Sequence, residues 1–168
     1  MTTAETSDAG DGPHDIPAAR NPALDRLDTL VGRWRVVATF PAGFFAADDP
    51  PVTRGGGATT FEWLDGRHFL LQRFTTGDAG PPSGIAVIGL DPDGLFRQHY
   101  YDSRGVARVY HMSVADDVWR LWRLEPGFSQ RFTGRLAAGG ARIDGLWERS
   151  ADGESWDTDF ELSYECEP

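Results

Sequence analysis

RIDGLWERSADGESWDTDFELSYE, residues 142–165, alternates apolar and polar side chains on both sides of an Ala151-Asp152-Gly153-Glu154 turn. Successive strand residues point to opposite faces, so setting Arg149 opposite Trp156 sorts the segment into two sides. One side holds Ile143, Gly145, Trp147, Arg149, Trp156, Thr158, Phe160, Leu162 and Tyr164; the other holds Arg142, Asp144, Leu146, Glu148, Asp157, Asp159, Glu161, Ser163 and Glu165. An apolar face backed by an acidic one describes an antiparallel hairpin with one side on a core and the other in water.

The same period of two runs back to Arg33. The segments are Arg33–Phe40, Ala58–Leu64, Arg67–Thr75, Gly84–Leu90, Leu95–Asp102, Gly105–Ser113, Val118–Leu124, Phe128–Leu136, Arg142–Arg149 and Trp156–Glu165, ten in all. Short links such as Asp65-Gly66, Asp91-Pro92-Asp93-Gly94 and Ser103-Arg104 are hairpin connections, which make consecutive strands antiparallel neighbours. An all-β, closed, up-and-down antiparallel barrel removes the edges that ten such strands would expose, with a two-sheet sandwich as the alternative. Before the strands, Asn21-Pro22 suits a helix start, Leu24, Leu27, Leu30 and Val31 fall at helical spacing, and Gly32 ends the helix. Residues 1–20 carry four acids, one Arg and few apolar side chains, and read as a disordered acidic tail; residues 21–168 form the barrel domain.

Pairing across Asp65-Gly66 turns Thr59, Phe61, Trp63, His68, Leu70, Gln72 and Phe74 inward. Pairing across Ser103-Arg104 groups Phe96, Gln98, Tyr100, Ala107, Val109 and His111 on the more apolar face, read as the inner one, with the opposite face of Arg97, His99, Tyr101, Arg108, Tyr110 and Met112 as the alternative. Carried through Asp116-Asp117, this register sets Arg120 across from His111 and Trp122 across from Val109, with Gln130 and Phe132 following. Polar side chains on otherwise apolar inner faces are then His68, Gln72, Gln98, Tyr100, His111, Arg120, Gln130 and Arg149. Each costs roughly 1–3 kcal/mol if buried without a partner. They either satisfy one another and trapped water, or line a cavity for an amphipathic small molecule together with Phe61, Trp63, Trp122 and Trp147. No inward carboxylate is expected, so His111 and Arg120 call for an anionic partner such as a carboxylate or phenolate.

Composition narrows the chemistry. The chain has 168 residues, 16 basic against 26 acidic, a net charge of −10, and every basic residue is Arg. Without lysine there is no Schiff base and no P-loop. The acidic balance argues against nucleic acid. One cysteine, Cys166, leaves no internal disulfide. The polar start and the lack of a long apolar run point to a cytoplasmic protein with no membrane partner. No metal site is expected, because the inner face offers His68 and His111 without a carboxylate. The Gly55-Gly56-Gly57 run precedes a strand and reads as a flexible stretch at the barrel mouth, beside a long loop, Pro41 to Thr53, whose Phe44 and Phe45 suit a lid, an interface or a cap.

The segments LDRLDTLVGRWRV, FEWLDGRHFLLQRF, IGLDPDGLFRQHYYDSRG and GLWERSADGESWDTDFELSYE, in this order, resemble a bacterial family of lipocalin-like (calycin) barrels of unknown function. Gly32-Arg33-Trp34 matches the Gly-x-Trp start of such barrels. The resemblance implies ten strands, a plugging helix with Trp34 beneath the cavity, and a hydrophobic ligand; it assigns no catalytic residue. The lipocalin arginine that covers this tryptophan is missing, as Arg149 falls at the other barrel end. A more distant resemblance is to nitrobindin, a haem-binding barrel whose histidine near the chain end ligates iron. Here DFELSYECEP lacks a histidine, so no cofactor is expected, and haem would need His68, His111, Tyr164 or Cys166.

Beside ligand binding stand two other readings. One is a cofactor-free cyclase or isomerase with His111 as base, Arg120 stabilising an enolate and Tyr100 donating a proton. The other is a ligand-free structural or interaction barrel. A homodimer through the outer face of the middle hairpin, Tyr101, Tyr110 and Met112 with Arg97 and Arg108, is the expected assembly.

Overall fold

Ten strands close on themselves in chain order in the computed structural model of the protein, which describes residues 19–77, 80 and 82–168. They are β1 (Gly32–Phe40), β2 (Val52–Trp63), β3 (Leu70–Thr75), β4 (Gly84–Leu90), β5 (Phe96–Asp102), β6 (Ala107–Ala115), β7 (Val118–Arg123), β8 (Ser129–Leu136), β9 (Arg142–Ser150) and β10 (Asp157–Glu167). Every neighbouring pair is antiparallel, and β1 completes the circle between β2 and β10. The barrel, not the sandwich, is the architecture. No helix among the described residues is long and apolar enough to cross a membrane.

A 3₁₀ helix, Pro22–Leu30, lies at the end where β1 begins. Leu24, Leu27 and Leu30 recur every third residue, which is the repeat of a 3₁₀ helix, and all three are buried while Val31 is exposed. Asn21 caps it, its Oδ1 accepting from the Ala23 N–H at 2.9 Å. The Trp34 indole then donates to the Leu30 carbonyl at 2.9 Å and is 1% exposed, which joins helix and barrel floor. The opposite end is the mouth, where the loops after β1, β3, β5, β7 and β9 gather.

Four sequence expectations change. First, the β5–β6 link is a three-residue loop, Ser103-Arg104-Gly105, closed by the Asp102 N–H on Val106 O at 3.1 Å, with Gly105 at φ 80°. Gln98 therefore faces Tyr110 and Tyr100 faces Arg108. One extra loop residue reverses every later side chain on β6 and β7. Arg108, Tyr110 and Met112 turn inward with Trp119 and Leu121, whereas Val109, His111, Arg120 and Trp122 turn outward. The two-residue turn at Asp116-Asp117, both at positive φ, sets His111 opposite Trp122 and Arg120 opposite Ser113. The outer face expected to form a homodimer thus loses Arg108, Tyr110 and Met112.

Second, the last hairpin carries a bulge between Thr158 and Phe160, and Asp157, not Trp156, faces Arg149. The bulge swings Asp159 inward to 7% exposure, so an inward carboxylate exists after all. Third, Gly55-Gly56-Gly57 belongs to β2, where Gly55 and Gly56 form a bulge opposite Val37 and Gly57 pairs with Val36, with Gly56 at φ 74°. Fourth, the expected tail lies outside the described residues up to residue 18, while Arg20 is held on the barrel. Its Nε donates to the Arg67 carbonyl at 2.8 Å, its guanidinium pairs with Asp25, and it covers the Trp63 ring at 4.9 Å.

The reversing loop depends on Asp102. Its side chain is fully buried and accepts from the Arg104 guanidinium at 2.7 Å, the Tyr100 hydroxyl at 2.8 Å, the Arg104 N–H at 2.9 Å and the Val106 N–H at 3.3 Å. The Arg104 guanidinium, aided by the Tyr100 hydroxyl and the two N–H groups against the opposing effect of burial, holds Asp102 well below the usual carboxylate range. The stability this supplies is complete above the unfolded value of about 3.9 and is lost as pH falls below it. Asp102→Ala is expected to lower unfolding free energy by about 1.5–3 kcal/mol at neutral pH. Urea denaturation across an acid series should show wild type and variant converging; a gap undiminished in strong acid contradicts this account.

Candidate functional site

Between floor and mouth the barrel encloses a cavity of about 420 Å³, within the roughly 300–1,000 Å³ typical of small-molecule sites. Its walls are Val36 and Ala38 from β1, Phe74 from β3, Leu121 from β7, Phe132 from β8, Trp147 from β9, and Leu162 and Tyr164 from β10. Trp119 forms the deep wall, 4.8 Å from the Phe132 ring and 5.8 Å from Phe61 beneath it. At the mouth Phe40, Phe44, Phe45 and Phe160 pack into one aromatic group, with centroids 4.7–5.8 Å from Phe40. The loop carrying Phe44 and Phe45 thus lies over the opening.

Polar groups enter this surface at two depths. Near the mouth, Gln130 accepts at Oε1 from the Tyr110 hydroxyl at 2.8 Å and from Arg108 Nη1 at 3.0 Å, and its Nε2 donates to Asp159 Oδ2 at 2.9 Å. Asp159 also faces Arg149 at 3.8 Å. Lower down, Gln72 Nε2 donates to the Thr59 hydroxyl at 3.2 Å, which donates onward to Arg73 O. Two residues of the cavity wall, Gln98 and Trp119, each hold a buried atom, Oε1 and Nε1, that finds no partner among the described residues. Burial pushes the hydroxyls of Tyr100, Tyr110 and Tyr164 up, with the Asp102 carboxylate adding to the effect at Tyr100, so all three are neutral donors at neutral pH.

Of the residues expected to line a cavity, Gln72, Gln98, Tyr100, Gln130 and Trp147 do so. Phe61 is buried below it. Trp63 points to the closed end, where its indole donates to Asp28 at 2.7 Å, and His68 sits in the turn before β3. His111, Arg120 and Trp122 are on the outer surface: His111 stacks on Trp122 at 5.5 Å and its Nδ1 faces Arg97 at 2.6 Å. Arg149 is half-exposed at the rim. The acid–base set of His111, Arg120 and Tyr100 is therefore not assembled, since the barrel wall separates the first two from the third. The haem candidates are equally scattered, with His68 in a closed-end turn, His111 outside, Tyr164 buried in the wall and Cys166 exposed. Among the described residues no three His, Cys, Asp or Glu side chains converge as a metal site.

Sequence reasoning missed Arg108, Tyr110, Trp119 and Asp159. The first three were recoverable from the alternation Arg108, Tyr110, Met112, Val114 once Ser103-Arg104-Gly105 is read as a three-residue loop with glycine in the left-handed position. Asp159 had no such signal.

No protein-family model matches the chain. The crystal structure of Rv2717c from M. tuberculosis superposes with a TM-score of 0.61 at 17% identity, covering 89% of this chain and 100% of that one. What the two share is the barrel. A stretch of 94 residues is 34% identical to hydroxyquinol 1,2-dioxygenase of Corynebacterium glutamicum, amounting to 53% of this chain and 30% of that protein. The matched region is thus less than a third of that enzyme's length.

Proposed function

We propose that this barrel binds a small amphipathic organic molecule in its cavity, as the resemblance to lipocalin-like barrels also suggests. The observation that carries the reading is a cavity of about 420 Å³ with a mostly apolar wall, in which two lining residues, Gln98 and Trp119, each hold a buried polar atom without a partner among the described residues. An orphaned buried polar group costs roughly 1–3 kcal/mol, and a core under no other demand would place Leu and Phe there. A bound molecule offering a donor to Gln98 and an acceptor to Trp119, once a small side-chain shift opens these atoms to the cavity, removes that penalty while its apolar body displaces water from the ring surfaces.

A second, narrower reading is that the molecule is a hydroxylated aromatic. It is favoured by the 94-residue similarity to hydroxyquinol 1,2-dioxygenase and by the chemistry of the hydroxyl group, which can accept from an indole N–H and donate to an amide oxygen. No reaction is assigned.

Native mass spectrometry of the freshly purified full chain, followed by tryptophan-quenching titration with 1-naphthol, tests the reading. Saturable quenching is expected in wild type. Gln98→Leu is expected to gain about 1 kcal/mol in unliganded stability and to bind naphthol about tenfold more weakly. No co-purified mass, no saturable quenching and a destabilised Gln98→Leu variant would instead make the chain a ligand-free structural barrel.

A further inference from the structure

We propose that the cavity selects organic acids, with the ligand's carboxylate held at the mouth by Arg108; this rests on the cavity reading above. The argument is one of charge partners. Arg104 at the same rim is held by Asp102, Arg149 faces Asp159, and Arg54 lies over the Phe45 ring. Arg108 lines the cavity, half-buried, and among the described residues its contacts are neutral: the Tyr110 hydroxyl at 3.3 Å, Gln130 Oε1 at 3.0 Å, and the Phe128 ring at 5.1 Å.

Gln130 keeps it so. Its amide is oriented by both ends at once, the oxygen taken by Tyr110 and Arg108 and the nitrogen by Asp159, and it therefore stands between the guanidinium and the Asp159 carboxylate. Asp159 is committed on its other side to Arg149. The two Arg108 contacts to Tyr110 and Gln130 both use Nη1, and no hydrogen bond among the described residues takes Nη2 or Nε, a planar pair suited to a carboxylate. A guanidinium partly removed from water, with neutral neighbours on one side and an aromatic cavity on the other, gains more from an anion than an exposed arginine does. In a chain of net charge −10, a positive group at this mouth also gives an organic anion one favourable approach.

The test compares two probes of nearly equal shape, 1-naphthaleneacetate and its neutral amide, by tryptophan quenching at a pH above the acid's own pKa. Wild type is expected to prefer the acid by about tenfold or more, the effect of a charge-assisted pair. Arg108→Gln should erase that preference while amide affinity stays within about threefold, and Arg108→Lys, which keeps the charge without the planar fork, should retain only part of it. Circular dichroism confirms that each variant is folded. Equal affinity for acid and amide in wild type, or a preference that survives in Arg108→Gln, overturns the proposal. If neither probe binds while 1-naphthol does, the acid selectivity is wrong and the cavity reading stands; if none of the three binds, both fall.

Discussion

Replacing Phe132 by alanine is expected to lower the unfolding free energy by about 3–5 kcal/mol, the range for truncating a fully buried aromatic. Phe132 is 1% exposed and its ring touches Trp119 at 4.8 Å and Trp147 at 5.1 Å, so its removal unsupports two large walls at once. Guanidinium denaturation measures the loss, and near-ultraviolet circular dichroism should report loosened tryptophans. Trp122→Ala is the matched control. Trp122 lies on the outer face against His111, and its truncation should cost about 1 kcal/mol. Equal losses for the two would mean that the β6–β7 register is the opposite of the one described.

Gly145→Val is expected to destabilise by about 1–3 kcal/mol through overpacking. Gly145 and Gly134 pair across β9 and β8, and the Phe132 ring occupies the room that their missing side chains leave. A Cβ at 145 would come within 2.5 Å of a Phe132 ring carbon, while the nearest backbone atom, Leu162 O, lies at 3.3 Å. The obstacle is thus the ring, not the backbone. In Phe132→Ala the same valine should cost far less, giving a coupling of about 1–3 kcal/mol in a double-mutant cycle. Strict additivity would show that the clash is relieved elsewhere.

The legible parts of the fold are those where alternation and turn chemistry agree. Ile143, Trp147, Leu162 and Tyr164 declared their face because Asp144, Glu161 and Glu165 declared the other, and ten strands with short links imply closure. The middle of the chain was ambiguous for a physical reason. β5 to β7 carry aromatics on both faces, with Tyr101, His111 and Trp122 outside and Tyr100, Tyr110 and Trp119 inside, so burial preference does not decide between registers one residue apart. Only the loop does, and a glycine at its third position outweighs the hydropathy of nine strand residues. The candidate site inherited this: Gln98 and Tyr100 precede that loop and Gln130 follows β7, while Arg108 and Trp119 lie on β6 and β7, whose facing the loop decides. Asp159 was illegible for another reason, since a bulge is a property of two strands meeting and a single strand's sequence does not announce it.

The Trp34 floor, sealed by Leu24, Leu27 and Leu30, leaves the barrel a vessel with a single neck rather than a conduit. On the proposed reading, a molecule that enters past Phe44 and Phe45 must leave by the same end before another can follow, so exchange is sequential and residence time depends on the long loop that carries the two rings as well as on the depth of the well.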